Sequence, residues 1–169
     1  MKELRYIIAF ILLSAVCTAQ QPTAKQHRYM QRTYKSVKSA VDEAEVSLLK
    51  DTVKILFPDY LLFHVNSATI TPDNYPLIKR LAISLNKHHK TSILVNGHTD
   101  IAGEDTYNLQ LSKRRADSAK AVLVMYDVAP ERIFTWGMGS KQPIADNNTQ
   151  EGRKRNRRVE FIILYNHKR

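Results

Sequence analysis

Residues 92–126 read SILVNGHTDIAGEDTYNLQLSKRRADSAKAVLVMY, and the hydrophobic period changes partway through. Ser92 to Gly97 is a short apolar run closed by a glycine, the composition of a core strand. His98 to Thr106 is polar and carries Gly103, which marks a loop. From Tyr107 to Tyr126 the apolar residues Leu111, Ala119, Val122 and Leu123 recur at helical spacing, leaving Lys113, Arg114, Asp117 and Lys120 for solvent. A strand that passes through a polar loop into a long helix sets Asp100 at the strand's end and Arg115 within the helix's first turns.

The neighbouring segments extend this pattern in both directions. Leu61 to Val65 is a compact apolar run and is predicted as a strand. Thr71-Pro72-Asp73 opens a helix, with a capping hydroxyl, a proline at the first turn and an acid at the positive dipole end. Leu77, Ile78, Leu81 and Leu85 give that helix one buried face up to about Asn86. Downstream, Ile133 to Trp136 is a short strand closed by Gly137 and Gly139. Ser140 to Asn156 is a polar loop, and Arg158 to Tyr165 is a final strand with Val159, Phe161 and Ile163 on one side. The order βαβαββ predicts an α+β fold, a small mixed sheet with helices packed on one face.

Upstream the character differs. Lys2 and Arg5 precede an uncharged run from Tyr6 to Val16 that is too short to cross a bilayer, so residues 1–19 read as a signal peptide. Removal would leave Gln20 first; the other processing route would make Cys17 a lipidated first residue. Either route exports the chain, to the periplasm or the periplasmic face of the outer membrane. Residues 20–57 are read as an N-terminal leader: a basic, aliphatic-poor tether to about Lys38, a helix ending near Glu43, then a hairpin about Lys50-Asp51. Residues 58–169 form the domain. A single cysteine allows no internal disulfide.

The formal charge is +10, and much of the excess lies in Arg153, Lys154, Arg155, Arg157 and Arg158. In an exported chain such a run points to an anionic envelope polymer such as lipopolysaccharide rather than to nucleic acid. No metal or other cofactor is expected, because His64, His88, His89 and His98 follow no ligand spacing. A wall hydrolase using Asp100 with Glu104 or Asp105 is conceivable in principle, yet no nucleophile or metal set accompanies those acids. Asp100 and Arg115 could bridge each other, or could hold a zwitterion, the acid taking an ammonium and the guanidinium fork a carboxylate.

The wording of several separated motifs bears on that choice. Gly97-His98-Thr99-Asp100, Gly103, Asn108, Leu111-Ser112, Arg115-Ala116, Arg132-Ile133, Gly137-x-Gly139, Pro143, Asn147 and Gly152-Arg153-x-x-Asn156-Arg157-Arg158-Val159-Glu160 stand in this order. Together they closely resemble the OmpA-like peptidoglycan-binding domain, over about Pro58 to Tyr165. The resemblance implies non-catalytic binding of peptidoglycan, with Asp100 and Arg115 gripping the charged ends of diaminopimelate in the peptide stem. It implies that Asn66, Thr99 and Asn108 line the same pocket, with Arg153 and Arg158 as additional glycan contacts and the rest of the terminal signature structural. His64 departs from the family's usual aspartate two positions before the asparagine. The region before Pro58 is too short for the eight-stranded barrel of the best-known relatives. Oligomeric state is left open by the sequence.

Overall fold

The computed structural model describes residues 22–165, so the signal peptide and Cys17 lie outside the described residues. Among the described residues, four α-helices accompany a single open sheet of five strands. Helix α1 (Ala24–Ala40) leads into strands β1 (Glu45–Leu49) and β2 (Thr52–Pro58), followed by α2 (Tyr75–Lys87), β3 (Thr91–His98) and α3 (Asp105–Met125). Strand β4 (Ile133–Gly137), the short helix α4 (Gln150–Asn156) and β5 (Arg158–Tyr165) complete the described residues. The sheet order is β1-β2-β5-β3-β4, with β3 and β4 parallel and every other pair antiparallel. The fold is therefore α+β with a mixed sheet.

Register explains the core. Val53, Ile55 and Phe57 of β2 stand opposite Ile163, Phe161 and Val159 of β5, which stand opposite Ile93, Val95 and Gly97 of β3. Because side chains alternate along a strand, these rows share one face. All eight non-glycine members are fully buried. Helix α2 closes over that core with Leu77, Ile78, Leu81 and Leu85, and α3 with Ala116, Ala119, Val122 and Leu123. Gly97 allows the closest approach, since a Cβ there would lie 2.0 Å from the Ser112 carbonyl oxygen of α3.

Three expectations need correction. Leu61 to Val65 is not a strand: a 3-10 turn occupies Asp59–Leu61, and Phe63 makes only an isolated bridge to Ile70. Leu62 and Phe63 are buried all the same, so the apolar run reported burial rather than an extended backbone, and β2 is the strand that fills this place in the sheet. Ser140 to Asn156 is not wholly loop, because Thr149 accepts the Gly152 N–H and caps the seven-residue α4. The tether expected to about Lys38 is a capped helix, in which Thr23 and Gln26 form a capping box. Met30, Val37 and Val41 of that segment are fully buried in the same core. The hairpin about Lys50-Asp51 forms, with Leu49 opposite Thr52.

Candidate functional site

Strand β3 ends at His98, and the next two residues enter a cleft of about 320 Å³ whose lining includes Asn66, Thr99, Asp100, Asn108 and Arg115. All five residues expected to line one pocket are thus brought together. Asn66 sits in a turn at φ 57°, a left-handed conformation that asparagine tolerates better than most side chains. Arg115 latches this turn by donating from Nε to the Ser67 carbonyl at 3.0 Å. Asn108 donates to the Ala102 carbonyl at 2.8 Å and so fixes the loop around Asp100 from the first turn of α3.

Asp100 and Arg115 are not paired with one another. Asp100 Oδ1 accepts the Ala102 N–H at 2.9 Å, and its Oδ2 accepts Arg157 Nη1 at 2.7 Å. Arg115 Nη1 donates to Asp59 Oδ2 at 3.2 Å, and its guanidinium lies 5.1 Å from the Phe63 ring centroid. Arg157 also reaches Asp59, with Nε 3.4 Å from Oδ2. The result is a chain of alternating charge, Arg115 to Asp59 to Arg157 to Asp100. Burial raises the pKa of Asp59 above the ordinary carboxylate value, against the opposing pull of Arg115 and Arg157. Burial likewise lowers the pKa of Arg115, outweighing Asp59. Both shifts describe charges that lost more hydration than their partners return. The Thr99 hydroxyl is buried and finds no hydrogen-bond partner among the described residues.

Asp59 was missed from the sequence. Its partner Arg115 stands 56 positions away, and the run after Asp59 read as a strand. The only local signal was the Pro58-Asp59 turn dipeptide. His64, where the resemblance puts an acid, is exposed, and Asp59 supplies the carboxylate for Arg115 instead. Arg157, read as structural, lines the cleft.

The expected glycan contacts sit elsewhere. Arg158 is only 2% exposed and donates to Glu160, the Asn156 carbonyl and the Gln142 carbonyl. That geometry leaves it no surface to present to a glycan, which corrects its expected role. Arg153 donates to the Asn147 carbonyl at 2.8 Å and braces the loop before α4. The basic run is thus divided among separate local tasks rather than forming one face. Glu104 and Asp105 are exposed at the start of α3. Among the described residues no group of three His, Cys, Asp or Glu is placed to hold a metal.

A match to the OmpA family covers residues 62–157. The chain is 46% identical to outer membrane porin F of Pseudomonas fluorescens over 101 residues, 60% of this chain and 31% of that protein. It is 38% identical to the peptidoglycan-binding protein ArfA of Mycobacterium tuberculosis over 103 residues, 61% of this chain and 32% of that one. It therefore spans less than a third of the length of either relative. Among solved structures, the cell wall anchor of the T6SS from Pseudomonas aeruginosa superposes with a TM-score of 0.69 at 29% identity, covering 83% of this chain and 99% of that one. With the family match running from the turn that holds Asn66 to Arg157 at the far wall of the cleft, the chain belongs to the OmpA family.

Proposed function

We propose that this chain is a non-catalytic peptidoglycan-binding module of the cell envelope, and that its cleft takes the diaminopimelate end group of the peptide stem. The observation that carries the reading is that Asp100 and Arg115 share one cleft without neutralising each other. Two carboxylates, Asp59 and Asp100, stand against two guanidinium groups, Arg115 and Arg157, so the cleft carries no net charge. A zwitterion suits it. Its ammonium meets Asp100 and its carboxylate meets Arg115, whose five N–H donors exceed the two already committed to Ser67 and Asp59. The unpartnered Thr99 hydroxyl supplies a further polar contact. The names of the relatives, outer-membrane and cell-wall proteins, support an address in the periplasm or at the outer membrane.

The test is co-sedimentation of the purified chain with insoluble sacculi, with free diaminopimelate as competitor. Asp100→Ala is expected to keep the fold and lose binding by about 10- to 100-fold, the worth of a charge-assisted hydrogen bond of roughly 1.5–3 kcal/mol. Arg115→Ala is a poorer probe, since it strands the buried Asp59. Arg115→Lys keeps the charge but loses the fork, and is expected to release the sacculi while melting as a cooperative fold. Undiminished sedimentation of both variants, insensitive to diaminopimelate, would sink the proposal.

A further inference from the structure

A second cleft of about 260 Å³ lies beside the first, and Tyr60 lines both. It forms where the N-terminal hairpin, which lies before the family-matched span, meets α4. Glu45 and Leu56, partners across β1 and β2, supply one side; Glu151, Lys154 and Arg155 of α4 supply the other. Tyr60 is 56% exposed, and the Lys154 ammonium stands 4.9 Å from its ring centroid, which holds the ring as the wall between the clefts.

We infer that this second cleft takes a neutral sugar of the glycan strand to which the peptide stem is attached; the inference rests on the stem reading of the first cleft. Charge is the first argument. Glu43, on the same rim, is spent on Arg80, whose hydrogen bond to it holds its pKa low. Of the remaining lining groups, Glu45 and Glu151 balance Lys154 and Arg155, so the lining carries no net charge and favours neither an anionic polymer nor a cationic peptide. Chemistry is the second. Carboxylates accept from sugar hydroxyls, ammonium and guanidinium groups donate to hydroxyl and acetyl oxygens, and the Leu56 floor with the Tyr60 wall meets the apolar C–H faces of a pyranose. Continuity is the third. Tyr60, in the 3-10 turn that begins at Asp59, lines both clefts, so a stem whose end group reaches Asp100 has the second cleft as an adjoining surface.

The experiment titrates the full chain with the bare stem tripeptide and with the same peptide carrying its disaccharide, following heat or intrinsic fluorescence. The disaccharide form is expected to bind about tenfold tighter, a difference of roughly 1.4 kcal/mol. The double variant Glu45→Ala/Arg155→Ala, two exposed positions that leave the Lys154–Tyr60 contact in place, is expected to bring it down to the level of the bare peptide while leaving the bare peptide's affinity unchanged. Equal affinity of the two ligands for the unaltered chain overturns the inference, as does equal weakening of both in the variant. Binding of the disaccharide form without any of the bare peptide overturns the stem reading and leaves the second cleft standing. Binding of neither overturns both.

Discussion

Arg157 and Arg158 are consecutive, yet they do opposite things. Arg158 begins β5 and points to the sheet face away from the core helices, beneath the chain at Gln142, where each of its hydrogen bonds is internal. Its partner Glu160 also takes Lys54 at 2.9 Å. Burial works to raise the pKa of Glu160, but the hydrogen bonds from Lys54 and Arg158 outweigh it and the net shift is downward. Arg157 turns the other way, with a side chain 37% exposed, and links Asp59 to Asp100 at the cleft. There burial wins, and Asp59 is held above the ordinary carboxylate pKa. The contrast teaches how to separate two kinds of buried charge. In one pair the hydrogen bonds outweigh the cost of burial, and in the other they do not.

The sharpest way to break the comparison is Arg158→Ala. Leaving Glu160 short of its principal partner in a buried site is expected to cost roughly 3–5 kcal/mol, nearer the lower end because Lys54 remains, and urea unfolding would measure it. A loss below about 1 kcal/mol would mean that the site is not closed.

Next comes His98, which pairs with Arg158 across β3 and β5 and is 1% exposed. Burial, then the Arg158 charge, push its pKa down to about 4, with Lys54 acting the same way and Glu160 opposing. The folded ring stays neutral where the unfolded one takes up a proton. Stability is therefore complete above about pH 6.5 and falls as pH drops towards 4, by about 3 kcal/mol in all. His98→Gln should remove most of that fall in a pH series of denaturation curves, leaving the smaller contribution of His88, whose pKa burial also lowers, and the loss below about pH 4.5 from Glu160.

Arg157→Ala should behave in the reverse sense to Arg158→Ala. The fold is expected to lose about 1 kcal/mol, while affinity for sacculi drops about tenfold because Asp100 loses the group that orients it. Co-sedimentation beside a melting curve separates the two effects. Thr149→Ala removes the cap of α4 and should cost only about 1 kcal/mol in thermal unfolding, with binding to sacculi intact.

Much of this arrangement could be read before the structure, and the reasons are specific. Leu77, Ile78, Leu81 and Leu85 formed a dense helical stripe, and all four are buried. Val159, Phe161 and Ile163 alternated cleanly and line the core. Helix α1 was harder, because its buried face is Gln26, Met30, Thr33 and Val37, with polar residues at two of the four positions. Helical spacing is present there, but the hydrophobic signal is not. At the site, Asp100, Arg115, Asn66, Thr99 and Asn108 follow from the resemblance to the OmpA-like domain, which carries spatial information that charge alone does not. Asp59 lay beyond that motif and reaches Arg115 only through the fold. Arg157 and Arg158 cannot be told apart by composition, since their roles depend on one capping α4 and the other beginning β5.

The placement of α1 and β1 has a mechanical consequence. A pull applied upstream of Thr23 against a ligand held at Asp100 would reach α1 first, then the edge strand β1, before loading β2 and β5. Unwinding the 17 residues of α1 lengthens the chain by roughly 30 Å, from a helical rise of about 1.5 Å to an extended reach of about 3.3 Å per residue. Because the wall of the Asp100 cleft starts at Asp59, after both elements, the grip would outlast the slack paid out ahead of it. The hairpin side of the second cleft would go earlier, so tension would release its occupant while the first cleft still held.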